Sequence, residues 1–215
     1  MKQVRSKEEL CDFIAEAGFP PFIDGGAEGF SDLDVIAAKY WYNPIDDTNP
    51  WNWRYFVARD KRIAYGKFFR KKLGFVEKKW FPYFAAVRRD GLTFGDLYRA
   101  GLASYRMKTV VGLLNEEKLT SKEIMHRSGL KKSAMESALT ELTMKTYIVI
   151  SGFEPQLSRD GESYGWPVAR YDIAERCMKR EFFESPKESA YLIMEYLKST
   201  FPKADEEMLE KLVLK

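Results

Sequence analysis

Twice between residues 120 and 142 the chain carries the same helix-start signal, and this repetition constrains the fold more than any other feature. Thr120-Ser121-Lys122-Glu123 and Ser133-Ala134-Met135-Glu136 both read as capping boxes, in which a hydroxyl accepts from an unpaired backbone N–H and a Glu reaches back to the cap. Gly129 separates the two starts, so the first helix, about 121–128, is short. The second carries a buried stripe of Met135, Ala138, Leu139 and Leu142. Upstream, Met107, Val110, Val111 and Leu114 recur at helical spacing over 104–118. Downstream, Tyr147 to Ile150 and Tyr164 to Tyr171 are strand-like runs separated by the polar stretch Glu154 to Ser163. Asp160-Gly161 suits the tip of a hairpin, and Pro167 suits an edge strand that can spare an N–H donor. Three helices followed by a hairpin predict a winged helix-turn-helix domain over residues 100–180.

The remainder is organised around it. Ser6-Lys7-Glu8-Glu9 opens a helix with the stripe Leu10, Phe13, Ile14 and Ala17, stopped by Gly18. Residues 18–53 read as loop, rich in Pro and Gly, with a short helix at Ser31 to Ala38; Gly25-Gly26-Ala27-Glu28-Gly29 has neither the spacing nor the following Lys of a phosphate cradle. Ile63 to Phe69 and Leu73 to Val76, joined by Arg70-Lys71-Lys72, predict a basic hairpin, and a helix follows over about 77–89. Ser185-Pro186-Lys187-Glu188 starts a helix that ends near Phe201-Pro202. The expected fold is mainly α with β-hairpins (α+β): an N-terminal helical and hairpin segment over 1–99, the winged helix over 100–180 and a helical tail over 181–215. The first segment is compatible with a second, degenerate winged helix.

A formal net charge of +3 conceals strong segregation. Residues 1–53 carry −6, residues 54–89 carry +10 from twelve basic and two acidic side chains, residues 90–180 carry +2 and the tail −3. Rings interleave with the basic block, among them Trp51, Trp53, Tyr65 and Tyr83. Cations that follow phosphates beside rings on which bases stack suit duplex DNA as a partner. The competing reading makes most of these rings core and lets the acidic first segment neutralise the basic second one. Candidate phosphate contacts are Arg70, Lys71 and Lys72 on the hairpin, Lys131, Lys132 and Lys145 around the third helix, and Arg159 on the wing. That helix is poor in Arg, Asn and Gln, the usual base readers.

Other chemistry is excluded by composition. Cys11 and Cys177 are far apart and His126 is the one histidine, which leaves no zinc site, no disulfide framework and a single imidazole for any Ser-His or Cys-His mechanism. No metal and no cofactor is expected. Lys2, Arg5, Lys7, Glu8, Glu9 and Asp12 stand where a secretory leader needs apolar residues, and no uncharged apolar run is long enough to span a bilayer, so the expectation is a soluble, cytoplasmic protein.

Pro50-Trp51-Asn52-Trp53-Arg54, then Ile63-Ala64-Tyr65-Gly66-Lys67-Phe68-Phe69, then Trp80-Phe81-Pro82-Tyr83-Phe84 ahead of the winged-helix pattern, resemble the AlkZ-related proteins. This bacterial group is attached to the winged-helix DNA glycosylases of the AlkZ type, and the resemblance spans about residues 30–175. It implies tandem winged helices around a DNA channel, and excision of alkylated or crosslinked bases by a Gln-apolar-Gln or Gln-apolar-Asp motif that positions water and stabilises the sugar cation. The chain has only Gln3 and Gln156, neither in such a motif; the nearest pattern is Asp32-Leu33-Asp34. Those two aspartates are the candidate catalytic carboxylates, with Asp46 and Asp47 behind them, although the pattern reads first as the acidic first turn of a short helix capped by Ser31. Trp51, Trp53, Tyr65, Lys67 and Tyr83 are the candidate pocket. Three functions remain open: a DNA-binding protein without catalysis, a monofunctional glycosylase, and a ligand-binding or interaction protein.

Overall fold

The computed structural model describes residues 3–22, 29–41 and 48–215, and the fold is mixed α+β. Helix α1 (Lys7–Ala17) starts where Ser6 Oγ accepts from Glu9 N, and ends at Gly18, whose φ of 77° suits a residue without Cβ. The single helix expected at Ser31 to Ala38 is two pieces, α2 (Asp32–Val35) and α3 (Ala38–Trp41). Ile36 breaks them because it is extended and bridges Val4, whose N–H binds the Val35 carbonyl. A further helix, α4 (Pro50–Val57), stands where loop was expected. Its signal was local: Asn49 Oδ1 accepts from Trp51 N at 3.0 Å and Pro50 occupies the first turn, where its missing N–H costs nothing.

Strands β1 (Ile63–Phe69) and β2 (Lys72–Glu77) form the expected hairpin, with Ile63 opposite Glu77. The turn residues Arg70 and Lys71 both have positive φ, as a two-residue hairpin connection requires. Residues 18–22 lie along β2 through hydrogen bonds from Phe22, Phe75 and Glu77 N–H groups. That pairing keeps Glu77 in the sheet, so α5 (Phe81–Arg89) begins later than expected, with Pro82 in its first turn.

Next come α6 (Phe94–Arg99), α7 (Tyr105–Glu116), β3 (Leu119–Thr120), α8 (Ser121–Ser128), α9 (Lys132–Met144), β4 (Ile148–Glu154) and β5 (Val168–Ile173). The Thr120–Glu123 capping box forms reciprocally. The Ser133–Glu136 box does not. Gly129, in the left-handed region, turns the chain early and makes Lys131 the cap, without a side-chain bond. The sheet order is β3-β5-β4, antiparallel, with Leu119 opposite Tyr171 and Ile148 opposite Ile173. Thus β5 is the central strand rather than an edge, and Pro167 stands just outside it because a central strand needs its donors. Helices α10 (Ala174–Met178), α11 (Pro186–Thr200) and α12 (Glu206–Val213) complete the chain.

Three apolar clusters hold these elements together. Phe19, Phe68, Phe69, Phe81 and Phe84 pack against Ile193 and Leu197 of α11 and Leu209 and Val213 of α12. Leu10, Ile14, Phe22, Trp53, Tyr65 and Phe75 pack with Ile150 of β4. Met107, Leu114, Ile124, Leu139 and Ile148 pack with Leu97. The α9 helix sits on β1 so closely that a Cβ on Gly66 would lie 2.5 Å from Thr143 Cγ2.

One polar group joins α5, the end of α9 and α10. The buried Arg89 donates from Nη2 to the Thr146 carbonyl at 2.7 Å and from Nε to Thr146 Oγ1 at 3.2 Å, pairs with Glu175 through Nη1, and lies 4.5 Å from the Tyr147 ring centroid. Thr146 has φ of 63°, which a β-branched residue adopts only under constraint. Removing the guanidinium strands Glu175 and the Thr146 carbonyl, so Arg89→Ala is expected to lower the unfolding free energy by about 3–5 kcal/mol in urea titration. A loss under about 1 kcal/mol would show that the turn holds without it.

Candidate functional site

The +10 segment does not form one continuous basic surface. Arg88 is spent on the Phe68 and Leu212 carbonyls at 2.8 and 3.1 Å, and burial pulls its pKa down to about 10. Arg89 is buried as described; Arg62 pairs with Asp60 and Asp12, and Lys79 with Glu77. Arg54 lies over the Trp51 and Tyr55 rings. Arg70, Lys71 and Lys72 are exposed on the hairpin. Lys131 and Lys132 are exposed at the start of α9, with Lys132 Nζ 3.9 Å from Glu136, whereas Lys145 is half-buried at its far end. Arg159 is exposed in the β4–β5 connection. Lys67 is half-buried, its Nζ 3.4 Å from Thr140 Oγ1, and shares with Lys132 a cleft of about 740 Å³. The C-terminal half of α9 is therefore covered by the hairpin, and only its first turns and outer face are open to a partner.

Of the expected pocket, Trp51, Trp53 and Tyr65 stand in one aromatic cluster with Phe22, Trp41 and Phe75. Phe22 meets Trp41 at 5.6 Å and Trp51 at 5.2 Å between centroids, and Tyr65 stacks on Phe75 at 4.9 Å. Tyr83 belongs elsewhere, against Trp80 at 5.8 Å in the cluster under α11. Lys67 parts from Tyr65 through the local backbone geometry: the strand register shifts between Gly66 and Phe69, and Lys67 Nζ reaches Thr140 Oγ1 on α9.

The two candidate carboxylates separate for the same kind of reason. Two residues apart on a helix means roughly 200° around it. Asp34 is exposed and its Oδ2 accepts from Ser31 N at 3.0 Å and Ser31 Oγ at 2.7 Å, which is a cap. Asp32 shares the inward face with Val35 and is fully buried; its backbone N–H binds the Pro21 carbonyl, but among the described residues neither carboxylate oxygen has a hydrogen-bond partner. Desolvation holds its pKa well above the ordinary range. The Tyr65 hydroxyl, also buried and without a partner among the described residues, is pushed upward by burial, with the charges of Arg54 and Asp32 acting on it in opposite senses. Arg54 Nη2 is committed to Tyr55 at 3.1 Å, so no ordinary hydrogen bond reaches Tyr65. Trp41 Nε1 is a third unpaired buried group. Asp46, Asp47 and residues 25–28 lie outside the described residues.

No other chemistry competes nearby. Burial pushes Cys11 up to about 12 and Cys177 up to about 11, which leaves neither as a thiolate at neutral pH. Among the described residues no cluster of three His, Cys, Asp or Glu could hold a metal ion, and no helix is long and apolar enough to cross a membrane. Sequence reading missed Trp41 and Trp166; the latter is a large ring left 69% exposed in the β4–β5 connection.

A helix-strand-helix-helix-hairpin unit joined to an aromatic core with a desolvated carboxylate describes a fold with a clear counterpart. The chain belongs to the AlkZ-related family, whose model matches residues 4–214. Its structure is similar to that of the Streptomyces sahachiroi DNA glycosylase AlkZ, with a TM-score of 0.52 and 16% identity over 100% of this chain and 56% of that one. The chain thus spans little more than half of that protein. No curated protein sequence matches it.

The Asp32 environment makes a stability prediction. Its folded-state pKa lies above the unfolded value of about 3.9, so the native state binds the proton more tightly and loses stability as pH rises from there toward the folded pKa. Asp32→Asn keeps the neutral shape and should raise the melting temperature at pH 7, with the gain vanishing near pH 4. A gain independent of pH would mean that the carboxyl is not desolvated.

Proposed function

We propose that this protein binds duplex DNA through a winged-helix module formed by residues 105–173, and that Asp32 carries out glycosylase-type base excision. The observation that carries the reading is the Asp32 carboxyl, fully buried next to Val35 of the aromatic cluster and, among the described residues, without a hydrogen-bond partner. Native proteins seldom leave such a group without a partner unless it serves chemistry.

A carboxyl kept neutral by desolvation can donate its proton to a ring nitrogen of the leaving base as the C1′–N bond breaks, the bonding pair departing with the base. The carboxylate so formed stabilises the positive sugar. Water then adds at C1′ and returns a proton to Asp32, leaving an abasic site. No metal enters this scheme. Trp51, half-exposed at the edge of the cluster, is the ring a displaced base would meet first. Asp34 supports the site by fixing the start of α2.

Single-turnover excision from duplexes carrying an alkylated base tests this. Asp32→Asn is expected to abolish base release and leave DNA binding intact, because the carboxyl acts on the transition state. Asp34→Asn should retain release and lose only about 0.5–2 kcal/mol of stability from the cap. Wild-type activity should fall as pH rises through the elevated Asp32 pKa. Release that survives Asp32→Asn would remove the carboxyl from the mechanism, and binding without release from any lesion would leave a DNA-binding protein on this scaffold.

A further inference from the structure

Two clefts flank the base of the β4–β5 connection and share the residues Trp166 and Pro167. One, about 740 Å³, lies between β1, α8 and the start of α9 and is lined by Lys67, Lys122 and Lys132. The other, about 590 Å³, lies against α1 and α4 and is lined by Lys7, Arg59 and the half-exposed Phe56, with Lys7 Nζ 5.1 Å from the Phe56 centroid. Five cations therefore line the two clefts. Among the described residues, their single acidic lining residue is Glu136, near Lys132.

Trp166 stands between them on a built support. Gln156 Nε2 donates to the Trp166 carbonyl at 2.6 Å, and Lys122 Nζ donates to Gln156 Oε1 at 2.5 Å. Tyr164 N donates to the Gln156 carbonyl at 2.9 Å. Gly165 has φ of 63° and lies under the Gln156 amide, so the backbone is shaped to bring the next residue out. Holding an indole 69% exposed where cations line both sides sacrifices apolar burial. A base stacked on the ring would recover it.

We infer that the two clefts form one track for a DNA strand with unstacked bases, in which Trp166 stacks on a base and Lys7, Arg59, Lys67, Lys122 and Lys132 follow the phosphates. This rests on the DNA-acting reading above and names the surface it uses. Arg70, Lys71 and Lys72 of the β1–β2 tip line neither cleft, and the first turn of α9 contributes Lys132 as a phosphate contact, not as a base reader. The track also adjoins the buried site: Tyr55 lines the second cleft and meets Phe153 at 4.7 Å, and Phe153 meets Tyr65 at 6.1 Å.

The test is fluorescence anisotropy with labelled oligothymidylate, whose bases are unstacked, and with an undamaged duplex, each across a salt series. Trp166→Ala should weaken oligothymidylate binding by about five- to a hundredfold, from a stacking contact of about 1–3 kcal/mol, and leave the salt slope unchanged. Trp166→Phe should retain most of the affinity. Lys7→Ala and Lys132→Ala, one from each cleft, should each reduce the slope by about 0.7, as one phosphate contact on a single strand does. Unchanged affinity in Trp166→Ala, or a slope that responds to only one of the two lysines, overturns the continuous track. Excision lost in Asp32→Asn with normal binding in Trp166→Ala would keep the proposed function and reject the track, whereas absence of binding to either DNA at low salt would remove both. Circular dichroism of each variant separates these outcomes from unfolding.

Discussion

The fold turns on a buried guanidinium. Arg89 leaves α5, crosses to the left-handed Thr146 between α9 and β4, and meets Glu175 at the start of α10. A positive φ at a β-branched residue is unfavourable alone, and a buried Arg is unfavourable alone. Together they satisfy each other, and the turn they define sets the angle at which α9 passes into the sheet. From that angle follow the seat of α9 on Gly66, the register of β4 against β5, and the side of the sheet that faces the aromatic cluster around Tyr65.

Against this tightly satisfied junction, Asp32 is the exception. The neighbouring Asp34 shows what the same side chain does when it serves structure: it finds Ser31 at once. Asp32 finds no partner among the described residues, although it is fully buried. Trp41, Tyr65, Trp80 and Ser189 also leave a buried polar atom unpaired, but Asp32 is the one carboxylate among them with both oxygens so, and a buried acid costs the most to leave alone.

Much of this was legible from the sequence where the signal was local. Ser6, Thr120 and Ser185 announced their helices, and the stripes of α7 and α9 gave their buried faces. The Arg70-Lys71 turn gave the β1–β2 hairpin. Reading failed where a tertiary partner decided. Pro167 looked like an edge residue because the two-residue β3, which makes β5 central, leaves no periodic trace, whereas α4 was missed in spite of its local cap, Asn49. For the candidate site, the Asp32-Leu33-Asp34 pair was visible, and helical geometry already placed the two on opposite faces. Which face was buried depended on Pro21 and Val35, and which rings shared the pocket depended on the packing that sent Tyr83 beneath α11. The charge count was the poorest guide, since it could not tell Arg88 and Arg89, consumed inside, from Lys71 outside.

The bond between Arg88 and the Leu212 carbonyl joins residues 124 positions apart. The cluster beneath α5 takes Leu209, Leu212 and Val213 as members, so its apolar wall is incomplete until that stretch of chain has been made. During synthesis the α7–β5 unit, whose core draws on nearby residues, can close first, while Phe68, Phe81 and Phe84 wait for their lid. A nascent chain of this protein therefore carries a phenylalanine-rich surface uncovered until residues 209–213 have emerged, and that interval is when a chaperone has the most to hold.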